Sequence, residues 1–208
     1  MIKLSLCVAT VPSRTSLLSR LLWALEPQIT QNVEVLVHRD ATKPLGQKSD
    51  EMWREASGEY VARIDDDDLV SSDYAWAIIS NLVGGADYVG FTALYTVNGE
   101  YVAEYEHDWR RGSNAHDSKI RAVSPIMVLP KDVAVTYSHG NERESDFEWS
   151  QRVRSEWKPR FPVSINRVLY HYDCWPEYSL PNTPDGVERV QRDVGQWPYD
   201  ESKFKWME

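Results

Sequence analysis

The chain has few cysteines, no long apolar run and no excess of positive charge, and each of these absences excludes a class of protein. Its 208 residues include two cysteines, Cys7 and Cys174, too few for a disulfide framework. No apolar run approaches the roughly 20 residues of a membrane-spanning helix, and the apolar stretch at residues 3–9 is too short for a signal peptide. The sequence therefore predicts a soluble cytoplasmic protein without a membrane span, from a bacterial or a virus-infected host cell.

The net charge of −9 argues against a protein that grips duplex nucleic acid over a broad surface, because such binding depends on many neutralised phosphates. Nine tryptophans and eleven tyrosines are many for this length. Aromatic rings serve hydrophobic cores, bases and sugar rings alike, so their abundance alone does not identify a ligand. The length fits one domain over residues 1–208 with a substantial core.

The first 75 residues alternate between strand and helix patterns. Residues 3–9 and 33–38 are apolar runs of strand length, and an amphipathic helix is predicted between them over residues 16–26. A second helix is predicted over 49–57 and a third strand over 60–64. Strand, helix and strand in this order predict right-handed crossovers and therefore an α/β fold with a mostly parallel central sheet and helices on both faces.

The second half of the chain has a different pattern. Asn98-Gly99 separates two strand-like runs and predicts a hairpin over 88–106. The other predicted elements are a helix after Asp73 with its inner face at Trp76, Ile79, Leu82 and Val83, a strand over 123–129, a helix over 144–153 and a strand over 163–172. Residues 76–172 thus form a second half of the same domain, and residues 173–208, rich in proline and aromatics, are expected to form an irregular tail.

Four consecutive aspartates, residues 65–68, follow the third predicted strand directly. Four carboxylates held on one turn repel one another, so a cation is a natural partner. An open α/β sheet binds its ligands at the carboxyl ends of parallel strands, the same edge that carries the loop at 10–14 and Asp40. A hard ion such as Mg²⁺ or Mn²⁺ takes carboxylate and phosphate oxygens. The alternative is a solvated acidic loop.

The order of these pieces resembles the nucleotide-sugar-dependent glycosyltransferases with a GT-A fold, in particular the inverting enzymes of family 2. The resemblance rests on residues 4–10 with 14–18, on 34–40, on 46–48 with 56–61, and on 64–68. The last of these stretches resembles the family's DxD motif. Together they cover about the first 75 residues.

The resemblance implies a role for four residues of the donor site. Thr10, Arg14 and Asp40 would lie around the nucleotide, with Asp40 reading the base. Lys48 would face the diphosphate. The sequence departs from the family at Thr10, where proline is common.

The resemblance also implies unequal roles within the acidic run. Asp65 and Asp66 would lie near the ribose and metal-bound water, and Asp67 would bind Mn²⁺ or Mg²⁺ directly. Asp68 is expected to cap the next turn, and its loss is expected to matter least of the four.

Two later stretches extend the resemblance. Residues 145–153 are similar to the family's acidic helix start, which makes Asp146 the candidate general base; the alternative is a solvated helix of alternating charge. His171, in the run 168–172, corresponds to the late histidine that many members bring back to the metal, although a lone histidine in an aromatic strand is more often structural. Four tryptophans are candidates for stacking on an acceptor, or for the core: Trp109, Trp149, Trp157 and Trp175.

The function implied is transfer of a sugar from a nucleoside-diphosphate sugar, with UDP expected, to an acceptor hydroxyl by single displacement. The acceptor is left open between a glycan, a protein and a modified nucleobase. A nucleotidyltransferase is a rival, but the loop at 11–14 lacks the glycine-rich, basic sequence usual in such enzymes. An aspartyl phosphatase is another, but its acidic motif follows the first strand. A binding module of the same fold without turnover is the third alternative.

Overall fold

The computed structural model describes residues 3–113, 119–139, 145–175, 195 and 197–207. Its strands are β1 (Leu4–Thr10), β2 (Val33–Arg39), β3 (Tyr60–Asp65), β4 (Leu69–Val70), β5 (Tyr88–Val97), β6 (Glu100–His107), β7 (Ile120–Arg121), β8 (Leu129–Pro130), β9 (Pro162–Cys174) and β10 (Lys205–Met207). Its helices are α1 (Thr15–Leu25), α2 (Leu45–Glu55), α3 (Tyr74–Val83), α4 (Lys131–Thr136) and α5 (Asp146–Glu156). The predicted α/β class is confirmed. Within the described residues, no helix has both the length and the apolar character needed to cross a membrane.

The first sheet has the strand order β10-β2-β1-β3-β8. Strands β1, β2, β3 and β10 are parallel, and β8 runs antiparallel to β3. All seven residues of β1 are buried, as expected for a central parallel strand covered on both sides. The predicted crossovers through α1 and α2 therefore place the carboxyl ends of β1, β2 and β3 at one edge.

The second half of the chain builds a mixed sheet of its own, in the order β4-β9-β5-β6-β7. The predicted hairpin between β5 and β6 is present, and Asn98 (φ 54°) and Gly99 (φ 79°) supply the two positive φ angles of its turn. Strand β4 follows the acidic run and pairs with β9, with Leu69 opposite His171. The second sheet thereby brings the end of β9 to the acidic run.

Helix α3 buries only part of the face that was predicted: Leu82 is buried and Ile79 packs against the core, as expected. Trp76 and Val83, expected on the inner face, are 71% and 74% exposed. The buried residues are Tyr74, Ala75, Ala77, Ile78 and Leu82. Tyr74 packs edge-on against Phe91 of β5, with ring centroids 5.5 Å apart, and small alanines let the helix approach the sheet closely. The large apolar side chains did not reveal which face is buried.

The strand predicted over 123–129 is wrong for most of its length. Only β8, at its carboxyl end, belongs to a sheet, although Val123 and Met127 are buried in the core. Pro125 has no backbone N–H to donate to a neighbouring strand, and its carbonyl accepts from the backbone N–H of Arg63 in β3 at 3.0 Å. Burial without regular pairing gives this segment the same apolar pattern as a strand.

The tail is also more ordered at its end than predicted. Strand β10 lies parallel to β2, with Trp206 opposite Val37, and forms an edge of the first sheet. Most of the predicted irregular tail, residues 176–194, lies outside the described residues, as does Glu144, the predicted start of the last helix. Helix α5 begins at Asp146 after a capping box formed by Ser145 and Glu148.

Candidate active site

The strand register places the predicted donor residues on one rim. Thr10 is paired with Arg39 at the ends of β1 and β2, and Ala9 is paired with Asp65 at the end of β3. The backbone N–H of Asp40 donates to the carbonyl of Thr10 at 3.2 Å. The side-by-side arrangement expected from a parallel sheet is therefore present.

Arg14 connects the loop after β1 to the acidic run. Its two terminal nitrogens lie 2.5 Å from a carboxylate oxygen of Asp66 and 2.6 Å from one of Asp67. The hydroxyl of Thr10 donates to the other oxygen of Asp66 at 2.6 Å. Burial raises the pKa of Asp66 to about 7, although the charge of Arg14 opposes that rise. Asp66 thus lies beneath the rim as a bonded, buried group.

Asp40 and Lys48 lie at the same rim, but their side chains bond to different groups. Asp40 accepts from the backbone N–H and the hydroxyl of Thr42, each at 2.6 Å, and these bonds lower the pKa of Asp40 to about 2. The Lys48 ammonium is buried and donates to the carbonyls of Thr10 (3.0 Å) and Asp40 (2.9 Å). Lys48 therefore ties together the ends of β1 and β2, and its contact with a diphosphate stays a prediction.

Asp67 is the more accessible member of the Arg14-bound pair, with 28% of its side chain exposed against 1% for Asp66. Its backbone carbonyl accepts from Arg20 of α1 at 2.7 Å, which fixes the loop. No three histidine, cysteine or acidic side chains of the described residues converge to hold a metal. Carboxylate oxygens still fit Mg²⁺ or Mn²⁺, which commonly take one or two carboxylates and fill the remaining positions with phosphate and water oxygens.

Asp68 does not cap the next turn, because both of its carboxylate oxygens bond to β9, and the expectation that its loss matters least stays a prediction. It is 2% exposed and accepts from the Tyr170 hydroxyl at 2.6 Å and from the Asp173 backbone N–H at 3.1 Å. Burial raises the pKa of Asp68 well above its ordinary value, and the charges of Asp67 and Asp65 add to that rise. Asp68 anchors β9 to the acidic run. The sequence could not show this, because both partners are about 100 residues away.

His171 lies beside the acidic run through the pairing of β4 with β9, and one of its nitrogens is held. The Thr96 hydroxyl lies 2.8 Å from His171 Nε2 and donates its one proton to Asp173 at 3.0 Å. Nε2 must therefore carry the proton and donate to Thr96, which leaves the lone pair on Nδ1. A metal-binding histidine usually has its other nitrogen held in this way. Ligation by His171 itself remains a prediction.

Asp146, the candidate base, is paired with a buried arginine at the end of β3. Arg63 is 1% exposed and donates to both carboxylate oxygens of Asp146, one of them at 2.9 Å. Arg63 Nε also lies 3.0 Å from Asp65. Burial alone would raise the pKa of Asp146, but the Arg63 guanidinium and His139 hold it well below its usual range. Asp146 is thus kept ionised, with 44% of its side chain exposed.

His139 was assigned no role from the sequence, yet it lies behind Asp146. Its Nδ1 and its backbone N–H bond to one carboxylate oxygen of Asp50, at 2.9 and 3.0 Å, so Nδ1 carries the proton. Its Nε2 is 4.0 Å from Asp146. The ring stacks on Trp53 and Trp149, and Gly46 lies so close that an added Cβ would approach the ring to 2.9 Å.

The tryptophans proposed for stacking are mostly core residues, as the alternative interpretation expected. Trp149 is fully buried and Trp109 is 6% exposed. Trp157 packs on Trp109 with ring centroids 5.1 Å apart, while Trp175 donates to Asp173 at 2.8 Å. The large aromatic side chains therefore stabilise the second half from inside.

Comparison with known proteins supports the fold. No protein-family model and no curated protein matches the sequence. Among solved structures, S. aureus TarS 1–349 in complex with UDP-GlcNAc matches with a TM-score of 0.67 and 14% identity, over 83% of this chain and 59% of TarS. The same fragment with UDP gives a TM-score of 0.66, 14% identity and coverages of 85% and 62%. A longer TarS structure matches with a TM-score of 0.66 and 15% identity, over 85% of this chain and 37% of TarS.

The chain thus spans about 60% of the TarS 1–349 fragment. At this level of identity the likeness establishes the fold and not the substrate. The match extends well beyond the 75 residues that carry the sequence resemblance. The chain therefore shares its fold with TarS and has the Rossmann-like GT-A fold that its sequence resemblance implies.

Proposed function

We propose that the protein is a metal-dependent inverting glycosyltransferase that moves a sugar from a nucleoside-diphosphate sugar, with UDP as the expected nucleotide, to an acceptor hydroxyl. The observation that carries the proposal is the pairing of Arg63 with both Asp65 and Asp146. One guanidinium thereby joins the acidic rim, where we propose that the nucleotide binds, to the candidate base. The TarS complexes with UDP and UDP-GlcNAc support UDP as the donor nucleotide.

The residues of the donor rim have separable tasks in this proposal. Thr10, Arg14 and Asp40 bind the nucleoside, and Asp67, with His171, holds Mn²⁺ or Mg²⁺. The ion, when bound, stabilises negative charge on the diphosphate that leaves. Arg14 lies between Asp66 and Asp67 and adds a fixed positive charge close to the same phosphates.

The transfer step needs one base and no covalent enzyme intermediate. The acceptor oxygen forms a bond to the anomeric carbon as the bond from that carbon to the diphosphate breaks, and the configuration inverts. The acceptor proton passes to Asp146, which Arg63 and His139 keep ionised. The diphosphate leaves with the electron pair of the broken bond.

The test is to incubate the purified protein with a panel of sugar nucleotides and Mn²⁺ and to follow release of nucleoside diphosphate and sugar transfer by mass spectrometry. We expect UDP to be released from at least one UDP-sugar. Asp146→Asn should bind UDP as the wild type does while its turnover falls about 100-fold or more. Asp132→Asn, at an exposed position on α4, is the matched control.

Two outcomes would reject parts of the proposal. Binding of UDP with no turnover on any donor would favour the binding module of the same fold. Full activity of Asp146→Asn would remove Asp146 from the mechanism.

A further inference from the structure

A cavity of about 440 Å³ opens beside Asp146, a size typical of pockets for small ligands. Arg63, Asp65 and Asp146 line it from the first sheet and α5, and Tyr95 and Tyr172 are among its lining residues from the second sheet. In the proposed function, the cavity adjoins the base that receives the acceptor proton. Its lining therefore reports on the chemistry of the acceptor.

Three tyrosines form a continuous row along the cavity, the tyrosine row of Tyr105, Tyr95 and Tyr172. Tyr105 and Tyr95 have ring centroids 5.9 Å apart, and Tyr95 and Tyr172, paired across β5 and β9, are 5.3 Å apart. Besides burial, the nearby charges of Asp68 and Asp65 raise the pKa of Tyr172. The row thus begins at Tyr172, at the end of the cavity near Asp65, and ends at Tyr105. Such a row suits a ring that carries hydroxyl groups, which needs both apolar faces and hydrogen-bond partners.

Arg121 lies at the other end of the row, with its guanidinium carbon 4.7 Å from the centre of the Tyr105 ring. No carboxylate of the described residues lies within ion-pair distance of it, whereas Arg63 is paired with both carboxylates of the cavity. A half-buried guanidinium that stacks on a ring and has no carboxylate partner in the described part of the chain is a site for a planar or tetrahedral anion.

His107 supplies a second polar atom to the cavity. Its ring is buried, Nδ1 lies 3.3 Å from the carbonyl of Phe91, and Nε2 has no hydrogen-bond partner among the described residues. A carbonyl only accepts, so Nδ1 carries the proton and Nε2 is left as an acceptor. Burial and the charge of Arg121 lower the pKa of His107 to about 4, which keeps the ring neutral. His107 therefore lines the cavity as a neutral ring whose Nε2 carries a lone pair.

We infer that this cavity is the acceptor site and that the acceptor is a sugar carrying a phosphate or carboxylate group, which Arg121 binds. The inference rests on the proposed function. The acceptor lies along the tyrosine row with its reacting hydroxyl at Asp146 and its anionic group at Arg121. His107 Nε2 accepts from a second hydroxyl.

The first experiment measures binding by isothermal titration of matched probes: glucose, glucose 6-phosphate, glucuronate, ribose and ribose 5-phosphate. We expect at least one anionic probe to bind about tenfold or more tightly than its neutral counterpart, since a hydrogen bond to a charged group contributes roughly that much. The phosphate and carboxylate arms show which anion is preferred. No preference in any pair would overturn the inference.

The second experiment repeats the titration with Arg121→Gln, with Arg110→Gln as the matched control at an exposed site outside the cavity. We expect the ratio of the neutral probe's dissociation constant to that of its anionic counterpart to fall to about one in Arg121→Gln and to keep its wild-type value in the control. A preference unchanged in Arg121→Gln would also overturn the inference. An unaltered melting temperature shows that Arg121→Gln is folded, and Arg121→Lys provides a second, milder variant.

The two proposals fail separately. If UDP does not bind while Arg121 still selects the anionic probe, the donor site is wrong and the cavity remains an anionic-sugar site. If UDP is released by turnover but neutral acceptors react as well as anionic ones, and equally in Arg121→Gln, the function stands and the acceptor class is wrong. His107→Phe should weaken the neutral and anionic probes by the same factor, because it removes a hydroxyl contact.

Discussion

Arg63 holds Asp146 across the boundary between the two halves of the fold. The arginine is at the end of β3 and the aspartate is the first residue of α5, 83 positions later in the chain. Because Arg63 is buried and also meets Asp65, it fixes the candidate base relative to the acidic rim. The geometry of the pair should therefore govern the pH dependence of transfer.

The first prediction concerns Arg63→Gln. A base must be ionised, so the rate falls as the pH drops through its pKa. In the wild type, burial raises the pKa of Asp146, but Arg63 lowers it by more and holds it below its usual range. The acidic limb should therefore lie below about pH 4. Without the guanidinium, burial dominates and the limb of kcat/KM should move to higher pH.

The measurement is the pH profile of kcat/KM for the two proteins, from pH 3 to 9. UDP binding at pH 7.5 serves as the control for folding of Arg63→Gln. An acidic limb at the same pH in both proteins would show that Asp146 is not the group that limits the rate.

The second prediction concerns Asp68→Ala. The substitution leaves the Tyr170 hydroxyl and the Asp173 N–H buried without their partner. A buried polar group that loses its partner costs about 1–3 kcal/mol, so we expect the free energy of unfolding to fall by about that amount.

Urea denaturation at pH 7 measures this change. The matched control is Glu59→Ala, which removes an exposed ion pair with Lys3 and should cost at most about 1 kcal/mol. Equal losses in the two variants would mean that the Asp68 contacts contribute nothing specific.

The third prediction concerns Asp50→Asn. Asp50 accepts from His139 Nδ1 and thereby turns Nε2 toward Asp146. Burial lowers the pKa of His139, but Asp146 and Asp50 raise it above its ordinary value. Asparagine removes the negative charge of Asp50, so the ring is protonated less readily and Asp146 loses part of the positive charge behind it. We therefore expect the acidic limb of kcat/KM to move to higher pH, by less than in Arg63→Gln, with KM for the donor little changed. Thermal unfolding and UDP affinity should remain near the wild-type values. A proportional loss of UDP binding would instead indicate that Asp50 shapes the donor rim.

The sequence predicted the strands and α1 of the first half well because they are locally specified, whereas α2 begins at Leu45, after Pro44, and not at residue 49 as predicted. Strand β1 is a continuous apolar run, α1 has one apolar stripe, and each crossover joins neighbouring elements. The acidic run could be placed at the rim for the same reason. Its neighbours at Arg14 and Thr10 follow from the parallel register.

The second half could not be predicted in the same way because its key contacts are distant in sequence. Asp68 bonds to Tyr170, and His139 bonds to Asp50, over separations of 102 and 89 positions. Side-chain size was also a poor guide to burial, as the exposed Trp76 shows. Arg63 stands just before the acidic run in the sequence, but the sequence did not show that it is buried or that it pairs with Asp146.

The last prediction tests the metal through Asp67→Asn. Asp67 has the more exposed carboxylate of the two held by Arg14, so an ion bridging the diphosphate to the protein would reach it first. With UDP at about 100 times its dissociation constant, binding stabilises the fold by about 2.7 kcal/mol, which corresponds to a rise of about 5–10 °C in melting temperature for a chain of this length. We expect the wild type to show this rise with UDP and Mn²⁺ together and a smaller one with UDP and EDTA. Asp67→Asn should give the smaller rise in both conditions, while the control Asp132→Asn, at an exposed site, should behave as the wild type. A rise that is the same with Mn²⁺ and with EDTA in the wild type would show that donor binding does not use a metal, and Arg14 would then be the cation that faces the phosphates.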